Sequence, residues 1–156
     1  EEKPEAYPEG PICVFDPHVD LYLEPTAEQA SKYDVILNVA SEVRNPFLTY
    51  NTPDPTKEGI RIDEYIHIPW EHNTDIVADL HRLVKLIDDR VRLGKRILIH
   101  CQCGVSRSAT LVVAYCMYIH PEFSVQQAYD TVKKRSKWIG PNMNLIMQLQ
   151  EFSSLL

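Results

Sequence analysis

A cysteine, a mid-loop glycine and an arginine six residues after the cysteine stand in the run His100-Cys101-Gln102-Cys103-Gly104-Val105-Ser106-Arg107-Ser108. Cysteine sulfur attacks as the thiolate. Arginine presents a planar fork of N–H donors that fits two oxygens of one phosphate, a match that the point charge of lysine does not make. Between them, Gln102, Cys103, Gly104, Val105 and Ser106 carry no charge, and their backbone N–H groups can close around an anion. These residue types at this spacing describe a loop that holds a phosphate against a sulfur nucleophile.

Such a loop needs elements that hold both of its ends. Ile97-Leu98-Ile99 is a short apolar run that predicts a buried strand, and Ala109-Thr110-Leu111-Val112-Val113-Ala114-Tyr115 opens a buried helix. The first N–H groups of a helix have no intrahelical partner, and its dipole adds positive potential there. That end both accepts an oxyanion and favours the Cys101 thiolate.

His-Cys-x-x-Gly-x-x-Arg-Ser resembles the signature loop of the cysteine-dependent protein tyrosine phosphatases. The helix that follows resembles the dual-specificity branch, which contains the MAP-kinase phosphatases. Leu21-Tyr22-Leu23 and Val35-Ile36-Leu37-Asn38-Val39-Ala40 resemble the start of such a domain, so the likeness runs from about Val19 to Phe152. Cys-Gln-Cys-Gly in the loop, with Trp70-Glu71-His72 upstream, resembles the fungal stress-kinase phosphatase subgroup.

The resemblance implies two-step covalent catalysis with no metal and no cofactor. Cys101 would attack phosphorus while Arg107 and the N–H groups of residues 102–107 hold the equatorial oxygens, and water would then cleave the cysteinyl-phosphate. By the same resemblance Ser108 assists that cleavage and His100 shapes the loop from outside. Asn142 buttresses the loop or caps a helix.

One position departs from the family pattern. The family's general acid is an aspartate just after an Ile-Pro strand end, whereas the segment here is Ile68-Pro69-Trp70-Glu71-His72-Asn73-Thr74-Asp75. The matching position holds His72, with Glu71 and Asp75 as competitors. Asp75 is also explained as a favourable charge in the first turn of a helix. Trp70 either stacks on an aromatic substrate ring or packs in the core. Among Lys133, Lys134, Arg135 and Lys137, a solvated helix face for the most part, Lys137 is the candidate to meet a second phosphate. Cys101 and Cys103 are too close for an unstrained disulfide, which leaves Cys13 as a redox partner for either, or as a small buried hydrophobe.

The surrounding pattern is α/β, a central, largely parallel twisted sheet flanked by helices; the resemblance implies that this is the protein tyrosine phosphatase fold of the dual-specificity type. Residues 1–11, with three prolines and several acids, predict a flexible lead-in, and 12–156 a single catalytic domain. Strands are expected at 12–15, 20–24, 34–39, 61–69 and 97–100. Capping boxes at Thr26–Gln29 and Ser124–Gln127 start two helices. A third runs from an N-cap at Thr74 to Gly94, and the last from about Asn142 to Phe152. Residues 44–59, with three prolines, predict an exposed loop.

The chain has 156 residues and a formal net charge of −6, which argues against nucleic acid as a partner. Its four cysteines have neither zinc-ligand nor disulfide-framework spacing, and its longest apolar run is too short for a bilayer. A monomer in the cytoplasm or nucleus, acting on a phosphorylated MAP kinase, is the expectation. Three other readings remain. A phosphoinositide phosphatase would need lysines in the loop, a phosphoprotein-binding module usually loses the Cys or the Arg, and a thiol redox protein would need Cys-x-x-Cys.

Overall fold

The computed structural model describes residues 6–48 and 62–156. Its strands are β1 (Ile12–Phe15), β2 (Val19–Tyr22), β3 (Val35–Asn38), β4 (Glu64–His67) and β5 (Ile97–His100). Its helices are α1 (Ala27–Ala30), α2 (Val77–Arg92), α3 (Arg107–Ile119), α4 (Val125–Arg135) and α5 (Met143–Ser154). The strands form one sheet in the order β1-β2-β5-β3-β4. Only the β1–β2 pair is antiparallel, so the sheet is largely parallel, as its apolar strands predict.

β5 lies at the centre with all four residues buried. Tyr22 of β2 and Asn38 of β3 both stand level with His100. The chain therefore leaves the sheet at three adjacent carboxyl ends, at Leu23, Val39 and Cys101. Connections that diverge from neighbouring parallel strands leave a crevice at that end, where ligands bind. α3 continues from the loop after β5, is buried from Arg107 to Met117, and packs against α2, α4, α5, β2 and β5. A helix enclosed on all sides holds its first turn in a fixed place relative to the sheet.

Both capping boxes form. Thr26 Oγ1 accepts from Gln29 N at 3.1 Å, and Ser124 Oγ accepts from Gln127 N at 3.1 Å. α2 buries the stripe Leu80, Leu83, Val84 and Ile87 and ends before Gly94, whose φ of +76° suits glycine. Its start differs from the expectation. Ile76, not Thr74, is the N-cap residue, and the Thr74 hydroxyl instead accepts from Glu71 N at 2.6 Å. The carboxamide of Gln148, on α5, accepts from Ile76 N at 2.6 Å and so takes over a capping role.

Two boundaries also move. β4 is shorter than the alternation from 61 to 69 suggests, and lies at the sheet edge with no fully buried residue. The expected loop at 44–59 falls largely on residues 49–61, outside those described. More consequentially, residues 6–11 are not a loose lead-in. Ala6 and Tyr7 belong to the core, with Tyr7 only 3% exposed. One aromatic ring anchors a segment whose prolines and acids suggest solvent.

Candidate active site

Cys101 directly follows β5, and its sulfur lies 3.1 Å from the Ser108 hydroxyl and accepts from Gly104 N at 3.3 Å. Donors on two sides suit a thiolate nucleophile. The sulfur lies in a cleft of about 870 Å³ lined by Leu23, His72, Cys101, Gln102, Cys103, Val105, Ser106, Arg107, Gly140 and Asn142. Leu23 and Val105 supply apolar wall, and Arg107 is the only lysine or arginine among the described residues that line it.

The loop's carbonyls are held by groups around it. Cys101 O accepts from His100 Nδ1 at 3.1 Å, Gln102 O from Glu24 N at 3.0 Å, Gly104 O from the Tyr7 hydroxyl at 2.6 Å, and Val105 O from Gly140 N at 2.7 Å. In a planar trans peptide the C=O and the following N–H point opposite ways. Each carbonyl fixed from outside therefore turns the next N–H, at Gln102, Cys103, Val105 and Ser106, away from its holder. Those four residues line the cleft. Ser106, at the N-cap of α3, makes no side-chain cap, so the first-turn N–H groups meet no capping oxygen from it.

Arg107 is 2% exposed, and its fork is set by two partners. Nη1 donates to Glu42 Oε1 at 2.8 Å and to Trp70 O at 2.9 Å, while Nη2 donates to Glu42 Oε2 at 2.5 Å. These bonds use three of the five guanidinium hydrogens. The second Nη2–H and the Nε–H share the other edge, and Nε is buried with no hydrogen-bond partner among the described residues. That edge fits two phosphate oxygens. The same hydrogen bonds hold the Glu42 carboxyl far below the usual range, at about 2. Glu42 is therefore an anion at every working pH and cannot serve as the acid.

His72 lines the cleft, as its position beside the Ile-Pro strand end suggests, and its carbonyl accepts from Asn144 Nδ2 at 3.1 Å. Desolvation first, and then the Arg107 charge, push its pKa below the ordinary histidine value. Glu71 and Asp75 are exposed and do not line the cleft. Among the described residues, no carboxylate lines it.

Some alternatives left open by the sequence are decided here, and other expectations are corrected. Trp70 is 1% exposed and donates from its indole Nε1 to Asp79 Oδ2 at 2.9 Å, so its ring packs in the core and is not presented to a substrate. Its backbone carbonyl is what serves the site, through Arg107. Lys137 does not line the cleft; its ammonium lies 5.0 Å from the centre of the Trp138 ring. Asn142 caps α5, its Oδ1 accepting from Leu145 N at 2.8 Å, while Gly140 N holds the loop carbonyl. Cys13 pairs in register with Asp20, and Asp20 with Leu98, two strands across the sheet and three residues short of Cys101. Strand spacing and rise put the two cysteines roughly 14 Å apart, about twice the reach of a disulfide. Burial, and then the Asp20 charge, also push the Cys13 thiol up, away from the reactive thiolate.

Sequence reading missed Glu42 and Tyr7. A signal for Glu42 exists: it follows β3, and the loop after a parallel strand must lie beside the loop after its neighbour β5. No local pattern marks Tyr7.

Comparison with known proteins agrees with this geometry. Residues 20–154 match the family described as "Dual specificity phosphatase, catalytic domain". The chain is 40% identical to tyrosine-protein phosphatase pmp1 of Schizosaccharomyces pombe, over 97% of its own length and 57% of that protein. It is 43% identical to tyrosine-protein phosphatase MSG5 of Saccharomyces cerevisiae, over 97% of its own length and 30% of that protein. The chain thus spans little more than half of one of these curated relatives and under a third of the other. A mouse putative dual specificity phosphatase, solved with zinc tungstate, superposes with a TM-score of 0.73 at 22% identity, covering 99% of this chain and 93% of that one, and shows the shared fold. With a cysteine at the end of the central strand, a loop whose carbonyls are pinned from outside and an arginine fork at the start of α3, the chain belongs to the dual specificity phosphatase catalytic-domain family.

Proposed function

We propose that this domain is a protein phosphatase that removes phosphate from phosphotyrosine in preference to phosphothreonine, with a MAP-kinase activation loop as its substrate and a monomer as its working form. The Cys101 sulfur attacks phosphorus, forming an S–P bond as the bond to the leaving oxygen breaks. Inward N–H groups and the unused edge of Arg107 carry the charge on the equatorial oxygens. Water then attacks the cysteinyl-phosphate, releasing inorganic phosphate and the thiolate, with the Ser108 hydroxyl 3.1 Å from the departing sulfur.

The observation that carries the preference is that, among the described residues, no carboxylate lines the cleft. A phenol has a pKa near 10, so phenolate leaves readily without much help. An alkoxide from threonine is a far poorer leaving group and depends on a positioned acid. His72 is the one imidazole among the described residues that line the cleft, and its lowered pKa leaves less imidazolium at neutral pH than an ordinary histidine carries. The choice of a MAP kinase rests on the motif likeness to the MAP-kinase phosphatases. A phosphoinositide headgroup fits less well, since no lysine among the described residues lines the cleft. With matched peptides, kcat/KM for phosphotyrosine should exceed that for phosphothreonine by about a hundredfold, the usual worth of a general acid. Cys101→Ser should abolish both, and equal efficiency on the two peptides would overturn the preference.

A further inference from the structure

Tyr7 lies 97 residues from the loop in sequence, yet its hydroxyl donates to Gly104 O at 2.6 Å and lies 3.1 Å from Ser136 Oγ. Its ring is enclosed. It meets Tyr22 edge-on at 5.8 Å between centroids and lies 6.3 Å from the Trp138 ring. A Cβ added to Gly104 would come within 2.6 Å of Tyr7 Cε2 and 2.8 Å of Tyr22 O, so this contact, besides the φ of +71°, requires glycine there. Tyr7 itself has a φ of +56°, in the left-handed region that a bulky residue adopts only where its surroundings hold it. Packing alone would bury the ring. It would not require a hydroxyl aimed at one carbonyl of the phosphate loop.

We propose that Tyr7 is a positioning residue of the phosphate-binding loop, setting the Gly104–Val105 peptide so that Val105 N–H faces the cleft and donates to a bound oxyanion. The inference rests on the reading of the Cys101 loop as a phosphate site. Because the peptide is planar and trans, drawing Gly104 O toward Tyr7 turns Val105 N–H the opposite way. Gly104 N donates to the Cys101 sulfur at 3.3 Å, so the same hydroxyl also steadies a donor to the nucleophile. Removing it frees that peptide to rotate, and the site loses an aligned N–H rather than a piece of its core.

The probe is inorganic tungstate, read as inhibition of p-nitrophenyl phosphate hydrolysis well below the melting temperature. Tyr7→Phe keeps the ring and should raise the tungstate inhibition constant and lower kcat/KM by about tenfold each, a fraction of the loss from deleting an oxyanion donor outright. Tyr33→Phe removes another buried hydroxyl, bonded to Asp20 at 2.5 Å away from the cleft, and should lower the melting temperature with both constants within about twofold of the parent. In the parent, the Val105 amide resonance should shift downfield as tungstate binds, a readout that needs no variant. Constants within twofold in Tyr7→Phe, or a Val105 amide unmoved by tungstate, would overturn the proposal. A parent that neither binds tungstate nor turns over substrate would instead overturn the phosphatase reading.

Discussion

Arg107 shows how much of this site depends on what a single side chain does not contact. Glu42 and Trp70 O occupy one end of the guanidinium and leave its Nε edge for the ligand. Glu42 could be thought to compete with phosphate for that cation. The geometry says otherwise, because the carboxylate takes the Nη1–Nη2 end and fixes the plane in which the other edge points. Glu42→Gln should therefore lower kcat/KM on p-nitrophenyl phosphate by about tenfold through lost orientation. A competing role would make the same variant faster, so steady-state kinetics separates the two. Cys101, Gly104 and Arg107 are legible in the sequence because a loop of fixed length ties thiol, turn and cation together. Glu42 and Tyr7 reach their partners in the site from 65 and 97 residues away, where only the fold sets the distance.

The elements were legible to different degrees, for physical reasons. Helices with a side-chain cap or a clean apolar stripe announce themselves, as α4 does at Ser124 and α2 along Leu80 to Ile87. The start of α2 does not, because its capping group belongs to another helix. Gln148 accepts from Ile76 N at 2.6 Å and donates from Nε2 to Thr74 O at 2.7 Å, stitching α5 to the turn that follows His72. A glutamine inside an amphipathic helix reads as solvent-facing, yet this one is largely buried. Gln148→Leu would leave the buried Ile76 N–H and the partly buried Thr74 carbonyl unpaired, and a buried group left so costs about 1–3 kcal/mol. Urea denaturation should show a loss of roughly 2 kcal/mol or more, with the denaturant slope unchanged. A loss below about 0.5 kcal/mol, the size of an ordinary surface change, would mean that water satisfies both groups.

At the scale of the whole molecule, the cost of placing a polar loop at the end of a buried strand shows in how stability depends on pH. His100 closes β5 with no exposed surface, its Nδ1 donating to Cys101 O and its Nε2 buried without a partner among the described residues. Burial pushes its pKa down to about 4 from the ordinary 6.5. Between those values the unfolded chain takes up a proton that the folded one refuses, so stability must fall as the pH drops through 6.5 toward 4. The carboxylates act in a lower window. Glu42, with its pKa depressed to about 2, contributes stability that is intact above its unfolded value near 4.5 and lost only on further acidification. At pH 5 the His100 effect therefore stands largely alone among these, with His72, whose pKa is also lowered, adding in the same direction. Going from pH 7.5 to 5, His100 should cost the parent on the order of 2 kcal/mol of unfolding free energy. His100→Gln cannot take up that proton, so its own loss over the same interval should be smaller by about that amount, whatever its stability at pH 7.5. Urea titrations of both proteins at the two pH values measure this difference directly, and parallel losses would mean that His100 is protonated in the fold.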